Sequence, residues 1–435
     1  MTILFRVVQL CFAIALLILS LDWRSPFLAS IRNEVFWVAA IVSVVLIGLG
    51  IIQLKKGDLV LKILNYLSLA IAVVGCLLFF TTEAKFYANK RAILNGNPTQ
   101  LESIGQHFII GYKNLNEVKK LVKTQAIGGI FLTTHNIKGK TAAEIKQEIQ
   151  TLQTLRQEQR LSPLWIATDQ EGGVVSRLSP PLTQLPQLSK IIAEKSDRAA
   201  RKKATINYAK TQGQGLSDLG INLNFAPVVD LNKNIVNPDD KYSKIHQRAI
   251  STDKKVVAQV AKWYCQTLEE YGVQCTLKHF PGLGRVENDT HLSSAELNVP
   301  VAELEGDDWV PFRKVMQQTN AFTMLGHAIL TDVDRDRAVS FSKAVISDII
   351  RKQWQHDGVL ITDDFCMYAV YGSKEGLTGA TVAALNAGVD LILIAYDSDL
   401  YYPAMQAALN AAREGKLDRA LLQKSQARLE QAKKT

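Results

Sequence analysis

Residues Gln274–His291 read QCTLKHFPGLGRVENDTH. An apolar run suited to a short strand gives way at Lys278 and His279 to a glycine-rich loop, and a second histidine, His291, ends the stretch. Seven other apolar runs lie between residues 107 and 396: HFIIGY, GGIFLT, LWIATD, LNFAPVVD, FTMLGHA, GVLITDD and VDLILIAY. Between them stand segments of helical character, such as NEVKKLVKTQ, TAAEIKQEIQTLQTLRQ, DKKVVAQVAKWYCQTLEEYG and GLTGATVAALNAG. Strands alternating with helices argue for parallel β/α units, since a parallel neighbour is reached only by a crossover. Eight such units predict an α/β fold, a (β/α)8 TIM barrel with long loops. An open doubly wound sheet is the alternative, but no Gly-x-Gly-x-x-Gly turn follows a strand.

A barrel of this kind builds its site where the strands run out at their C-terminal ends. The strand ends here carry Asp169, Asp230, Lys278 with His279, His327, and Asp363 with Asp364. Any one of these alone reads best as a helix cap or a satisfied core polar group. As a set they follow the strands too closely for scattered surface charge, and they predict a site.

The start of the chain differs in kind. VVQLCFAIALLILSL (7–21), VFWVAAIVSVVLIGLGII (35–52) and ILNYLSLAIAVVGCLLFF (63–80) are almost wholly apolar. A helix needs roughly 20 such residues to cross a bilayer core. The domain expectation is therefore a membrane region of three transmembrane helices at 1–84, a linker at 85–100 and a barrel at 101–435. An odd number of spans puts the two chain ends on opposite sides. Lys and Arg are balanced between the two sides, so charge does not orient the spans. The chain has 435 residues, 21% charged and 47% hydrophobic, with a net charge of +9. It carries no dense basic run or zinc finger, which leaves nucleic acid a poor partner. Five cysteines without paired spacing suggest neither a zinc site nor a disulfide framework.

No metal-ligand spacing stands out, and no Gly-x-Ser-x-Gly elbow is present. No metal and no cofactor are expected. What remains is a carboxylate nucleophile with a mobile acid/base. Asp363 ends an apolar strand, where partial burial and neighbouring charge set its ionisation. His291 sits behind PGLG, and Asp289, two residues earlier, is placed to orient its imidazole. Such a pair suits glycosyl transfer through a covalent intermediate, with histidine standing where a second carboxylate is usual.

The pieces GGIFLTTHNI, IATDQEGGVVSRL, LNFAPVVDLN, HQRAISTD, KHFPGLGRVENDTH, MLGHAI and LITDDFCM appear in that order. Together, over about residues 105–395, they resemble the glycoside hydrolase family 3 β-N-acetylglucosaminidases of the NagZ type. The resemblance implies a retaining enzyme that removes terminal β-linked N-acetylglucosamine, with Asp363 as nucleophile and His291, supported by Asp289, as acid/base. It further implies that Asp169, Arg177, Arg248, Lys278 and His279 bind the sugar. Two places depart from the family pattern: PGLGR stands where PGHGD is usual, and KNIVNPDDKYSKI is more charged than usual. The membrane region has no counterpart in the common soluble members.

Three other readings compete. A phosphorylase would use the same site, because a histidine, unlike a carboxylate, does not repel an attacking phosphate. A β-glucosidase is the second. A sugar-binding barrel without activity is the third, although both proposed catalytic groups are present. The expected partners are a carbohydrate containing N-acetylglucosamine, peptidoglycan or its fragments, and the lipid bilayer. The expected location is a multi-pass cell-membrane protein with the barrel on the extracytoplasmic side. Lys85, Lys90 and Arg91 after the third span lean the other way.

Overall fold

The computed structural model describes residues 2–434. The chain forms two compact units, one reaching to Ala92 and the other starting at Ile93. The first contains three helices, α1 (Thr2–Leu21), α2 (Arg32–Ile52) and α3 (Leu59–Leu94), each long and apolar enough to cross a membrane. Their inner contacts are few: Ala13, Leu16, Trp23, Ala39, Leu46, Ala72 and Phe79 form a narrow seam. Large side chains such as Trp37, Val44 and Leu59 point away from it, 66–73% exposed. Helices apolar all round need a nonaqueous surrounding. Some polar groups inside this unit are matched: Arg6 donates to Asn65 at 3.1 Å, and Trp23 Nε1 and Arg24 both donate to Glu83 at 2.7 Å.

Residues 85–94, the first part of the segment 85–100 expected as linker, are helical and continue α3. The apolar pattern stops near Phe80, but Lys, Ala, Arg and Leu are all good helix formers. Helix ends only before Gly96 and Pro98, and a new one begins at Pro98 under an Asn97 cap. At 36 residues α3 is roughly 54 Å long, against roughly 30 Å of bilayer hydrocarbon.

The second unit is a closed parallel barrel. Its strands are β1 (Phe108–Gly111), β2 (Gly129–Leu132), β3 (Trp165–Thr168), β4 (Leu223–Asn224), β5 (Gln274–Phe280), β6 (Phe322–Leu325), β7 (Leu360–Asp364) and β8 (Leu391–Ile394). Each of the eight apolar runs of the sequence supplies one. The seam closes where Ile109 of β1 pairs with Leu393 of β8, while Ile110 pairs with Ile130 of β2.

Alternation along each strand decides what fills the barrel. Trp165 and Ala167, Phe322 and Met324, Val359 and Ile361, and Leu391 and Leu393 belong to one buried cluster. Trp165 and Phe322 lie on strands that are not neighbours, yet their rings meet edge to face at 5.1 Å, across the interior. The same parity carried one step further points Asp169 and Asp363 to the top of that interior. Sequence alternation and barrel closure therefore put both carboxylates at one end.

One expectation about cysteine is corrected. Cys265, on the helix Lys254–Glu269, is disulfide-bonded to Cys275 of β5, with Cα atoms 5.3 Å apart. Residues 270–273 reverse the chain so that strand runs back beside helix, a proximity that a spacing of ten residues does not reveal. Cys366 is free and buried.

The opposite end of the barrel is closed by an ionic cluster. The buried Asp390 accepts from Arg351 at 2.7 Å, from Arg428 Nη2 at 2.8 Å and from the backbone N–H of Leu360 at 2.8 Å. Removing one member of such a cluster leaves buried charge uncompensated. Asp390→Ala should therefore cost about 3–5 kcal/mol of barrel stability. It should show as a lower midpoint in denaturant, with the apparent KM of any folded enzyme unchanged because the cluster lies at the far end from the site.

Candidate active site

The strand ends converge on a buried set of opposite charges. Lys278, near the end of β5 and 1% exposed, reaches Asp169 at 2.8 Å and Glu171 at 2.6 Å. Arg248, from the short helix Ile245–Arg248, holds Glu171 with both arms, at 3.0 and 2.6 Å. Burial alone would raise the pKa of Glu171. The Arg248 and Lys278 cations outweigh it and hold the group at about 2. Glu171 sits in a tight antiparallel hairpin, Gln170–Gly172 with Val175–Ser176, that follows β3. Gly172 is required there: its φ is +95°, and a Cβ would lie 1.8 Å from the Tyr208 hydroxyl.

Arg248 donates toward His279 Nε2 at 3.3 Å. A guanidinium has only donors, so Nε2 accepts and the ring hydrogen lies on Nδ1, 2.7 Å from Asp230 Oδ2. Asp230 also accepts from the backbone N–H groups of His279 and Leu283, at 3.1 and 2.6 Å. This one carboxylate fixes both the imidazole and the start of the glycine-rich loop.

The adjacent aspartates at the end of β7 take different roles. Asp364 is consumed by backbone, accepting from Cys366, Ala395 and Tyr396 N–H groups at 3.0, 2.8 and 2.9 Å. Asp363, on the inward parity, accepts from the Asp364 N–H at 2.8 Å and is otherwise open. Burial favours its neutral form, but His279, His327 and His291 together outweigh this and hold its pKa below the ordinary value. His327 is itself pushed down to about 4 by burial, so near neutral pH it acts as an oriented uncharged ring. Its Nε2 donates to the Asp364 carbonyl at 3.0 Å, and Ser340 bonds the other nitrogen at 2.8 Å. The carbonyl can only accept, which fixes the tautomer.

His291 is 40% exposed at its side chain and faces out from its support. Its Nδ1 lies 2.7 Å from Asp289 Oδ1, which also accepts its backbone N–H at 3.0 Å. Asp289 is buried and further accepts from the Tyr242 N–H at 3.0 Å and the Ser243 hydroxyl at 3.1 Å. Burial opposes its ionisation, yet the bonds from His291 and Tyr242 hold its pKa well below the usual carboxylate range. Nε2 of His291 remains available to a substrate. Backbone bonds from Tyr368 to His291 (3.3 Å) and from Ala369 to Thr290 (3.2 Å) seat the loop tip beside the segment that follows Asp363.

The departures at Leu283 and Arg285 become an anchor. Leu283 is buried, and Arg285 bonds Asp308 at 2.8 Å, Asp307 at 2.9 Å and Glu303 at 2.8 Å. The base of the loop is thus tied down while its tip is held through Asp289.

Of the residues expected from sequence, Asp169, Lys278, Arg248 and His279 belong to one contact network through Glu171, His291 and Asp289 form a second, and Asp363 lies within electrostatic reach of His279 and His291. Arg177 is exposed and is linked through its backbone, its N–H donating to the Asp169 carbonyl at 3.0 Å. Sequence reasoning named Asp230 and His327 among the strand-end groups without giving either a role, and it passed over Glu171, which lies two residues after Asp169 and within reach of the same argument. Tyr242 lies in the charged stretch that departs from the family pattern, a signal that marked the stretch and no residue in it.

Residues 97–432 match the family model described as the glycosyl hydrolase family 3 N-terminal domain. The chain is 32% identical to a beta-hexosaminidase of Idiomarina loihiensis over 75% of its length and 95% of that protein. It is 33% identical to a beta-hexosaminidase of Xylella fastidiosa, covering 63% of this chain and 78% of that one. A solved glycoside hydrolase family 3 beta-N-acetylglucosaminidase from Paenibacillus superposes with a TM-score of 0.70 at 28% identity. That match covers 77% of this chain, which spans 62% of the Paenibacillus one. The chain belongs to glycosyl hydrolase family 3.

The Glu171 cluster makes a testable statement about acid. Glu171 is held at about 2 against an ordinary 4.5, so its contribution is present above pH 4.5 and is lost as pH falls toward 2. The size is about 3 kcal/mol. Glu171→Gln should flatten the acid-side fall in denaturant stability and cost about 3–5 kcal/mol at neutral pH, by stranding Arg248 and Lys278. An unchanged acid-side slope would count against the cluster.

Proposed function

We propose that this family 3 enzyme removes terminal β-linked N-acetylglucosamine with retention, through a glycosyl ester on Asp363. Activity as a β-N-acetylhexosaminidase is supported by the family and by the names of its relatives. The observation that carries the chemistry is the pairing of an open, ionised Asp363 with a His291 whose Nδ1 is committed to Asp289. In the first step an Asp363 oxygen bonds to the anomeric carbon, the glycosidic bond breaks, and Nε2–H of His291 passes its proton to the leaving oxygen. In the second, His291 takes a proton from water as the water oxygen displaces the carboxylate. Asp289 stays ionised throughout and stabilises the imidazolium. Lys278, Arg248, His279 and Asp169 offer hydrogen bonds for the sugar hydroxyls, with Glu171 and Asp230 keeping them in position.

The substrate we assign is peptidoglycan or its fragments, with the barrel outside the cell membrane. Two features support this side. Three candidate spans are an odd number, so an N-terminus on the inner side would carry the barrel to the outer one. The Cys265–Cys275 disulfide also suits an oxidising compartment. Tethering beside a fixed polymer raises effective concentration, an advantage that freely diffusing fragments do not need.

Variant kinetics, product analysis and protease accessibility test these readings. Asp363→Asn should lower kcat by several orders of magnitude, and His291→Ala should slow unactivated glycosides far more than nitrophenyl ones. NMR of the first product should show the β anomer; α first would end the double displacement, and a glycosyl phosphate formed in phosphate buffer would mark a phosphorylase. For location, protease added to intact spheroplasts should digest the barrel, and protection until lysis would reverse the orientation.

A further inference from the structure

Past the membrane helices, the large apolar side chains that stay exposed among the described residues are Val174, Val236, Tyr242, Leu292 and Tyr396. Every one lies on a connection that leaves the C-terminal end of a barrel strand: Val174 after β3, Val236 and Tyr242 after β4, Leu292 after β5 and Tyr396 after β8. Single exposed apolar residues are ordinary. Their confinement to the face that bears the site is not.

Tyr242 is set apart from the others. It is 59% exposed, and its ring centroid lies 5.4 Å from that of His291, inclined at 45°. Its backbone N–H and the neighbouring Ser243 hydroxyl both bond Asp289, the carboxylate that orients His291. A general acid must stand within hydrogen-bond reach of the atom it protonates. For this reaction that atom is the glycosidic oxygen, where the leaving group begins. A flat ring beside His291 therefore borders the leaving group.

We propose that Tyr242 is the platform of an aglycone subsite that takes the apolar C–H face of a second pyranose. The occupant is a saccharide because a rigid ring with an apolar face and polar edges matches a phenol, which presents large area at little entropic cost. Since Tyr242 and His291 share Asp289, a sugar resting on the ring also steadies the acid/base. The proposal rests on the reading of His291 as acid/base and narrows the substrate to glycans.

The test uses the full chain in detergent with two substrates of similar leaving-group basicity: an N-acetylglucosaminyl-β-1,4-N-acetylglucosamine disaccharide and methyl β-N-acetylglucosaminide. The quantity read is the ratio of their kcat/KM values. Tyr242→Ala should lower the ratio about tenfold, the change expected for uncovering on the order of 50 Å² of apolar surface. Tyr242→Leu, which fills the loop without a flat ring, should lower it in the same direction, and Tyr242→Phe should keep it. A ratio unmoved in both the alanine and leucine variants overturns the subsite and leaves the hexosaminidase reading standing. A wild-type enzyme that cleaves neither glycoside overturns that reading, and the subsite with it.

Discussion

The Glu171 carboxylate, shared by Lys278 and Arg248, is the interaction on which the site depends. Lys278 is 1% exposed, and a lone ammonium there would be untenable. Glu171 beside it offsets the cost of burying the ammonium, which still reaches Asp169. Arg248, fixed on the same carboxylate, reaches His279, which in turn sets the hydrogen on the nitrogen facing Asp230. Four elements distant in sequence are thereby locked into one arrangement before any substrate arrives. Donors held by packing and ion pairs need not reorganise when charge develops.

The catalytic pair is built on the opposite plan. Asp363 stands on a rigid strand end, and its neighbour Asp364 absorbs the backbone donors that would otherwise compete for it. His291 rides on a loop anchored at both ends of its path. Asp230 and the acidic trio around Arg285 hold the base, and Asp289 holds the tip. A fixed nucleophile and a tethered but exposed acid/base suit two successive tasks, first giving a proton to one oxygen and then taking one from another.

Tyr242 ties the loop after β4 to this machinery through backbone, not side chain. Its ring is therefore free for substrate, while its N–H helps to keep Asp289 ionised. The charged stretch that departs from the family pattern thus lies against the acid/base itself.

Much of this was legible before any coordinates. Eight short apolar runs set between helical segments defined eight strands, because a parallel strand buried on both faces needs apolar residues along its whole length. The strand ends then pointed to Asp169, Lys278, His279 and Asp363. Three things were not legible. The helical course of residues 85–94 was not read, because hydrophobicity fell at Phe80 while helix propensity did not, and local composition reports the first more loudly than the second. The Cys265–Cys275 bond depends on a chain reversal that brings strand beside helix. The separate fates of Asp363 and Asp364, like the meeting of Tyr242 with His291, depend on which backbone donors and rings closure of the barrel brings near. Periodicity along one strand is a local property that sequence carries in full. Contacts between residues 242 and 291, or between 171 and 248 and 278, exist only once the strands have been wound into a ring.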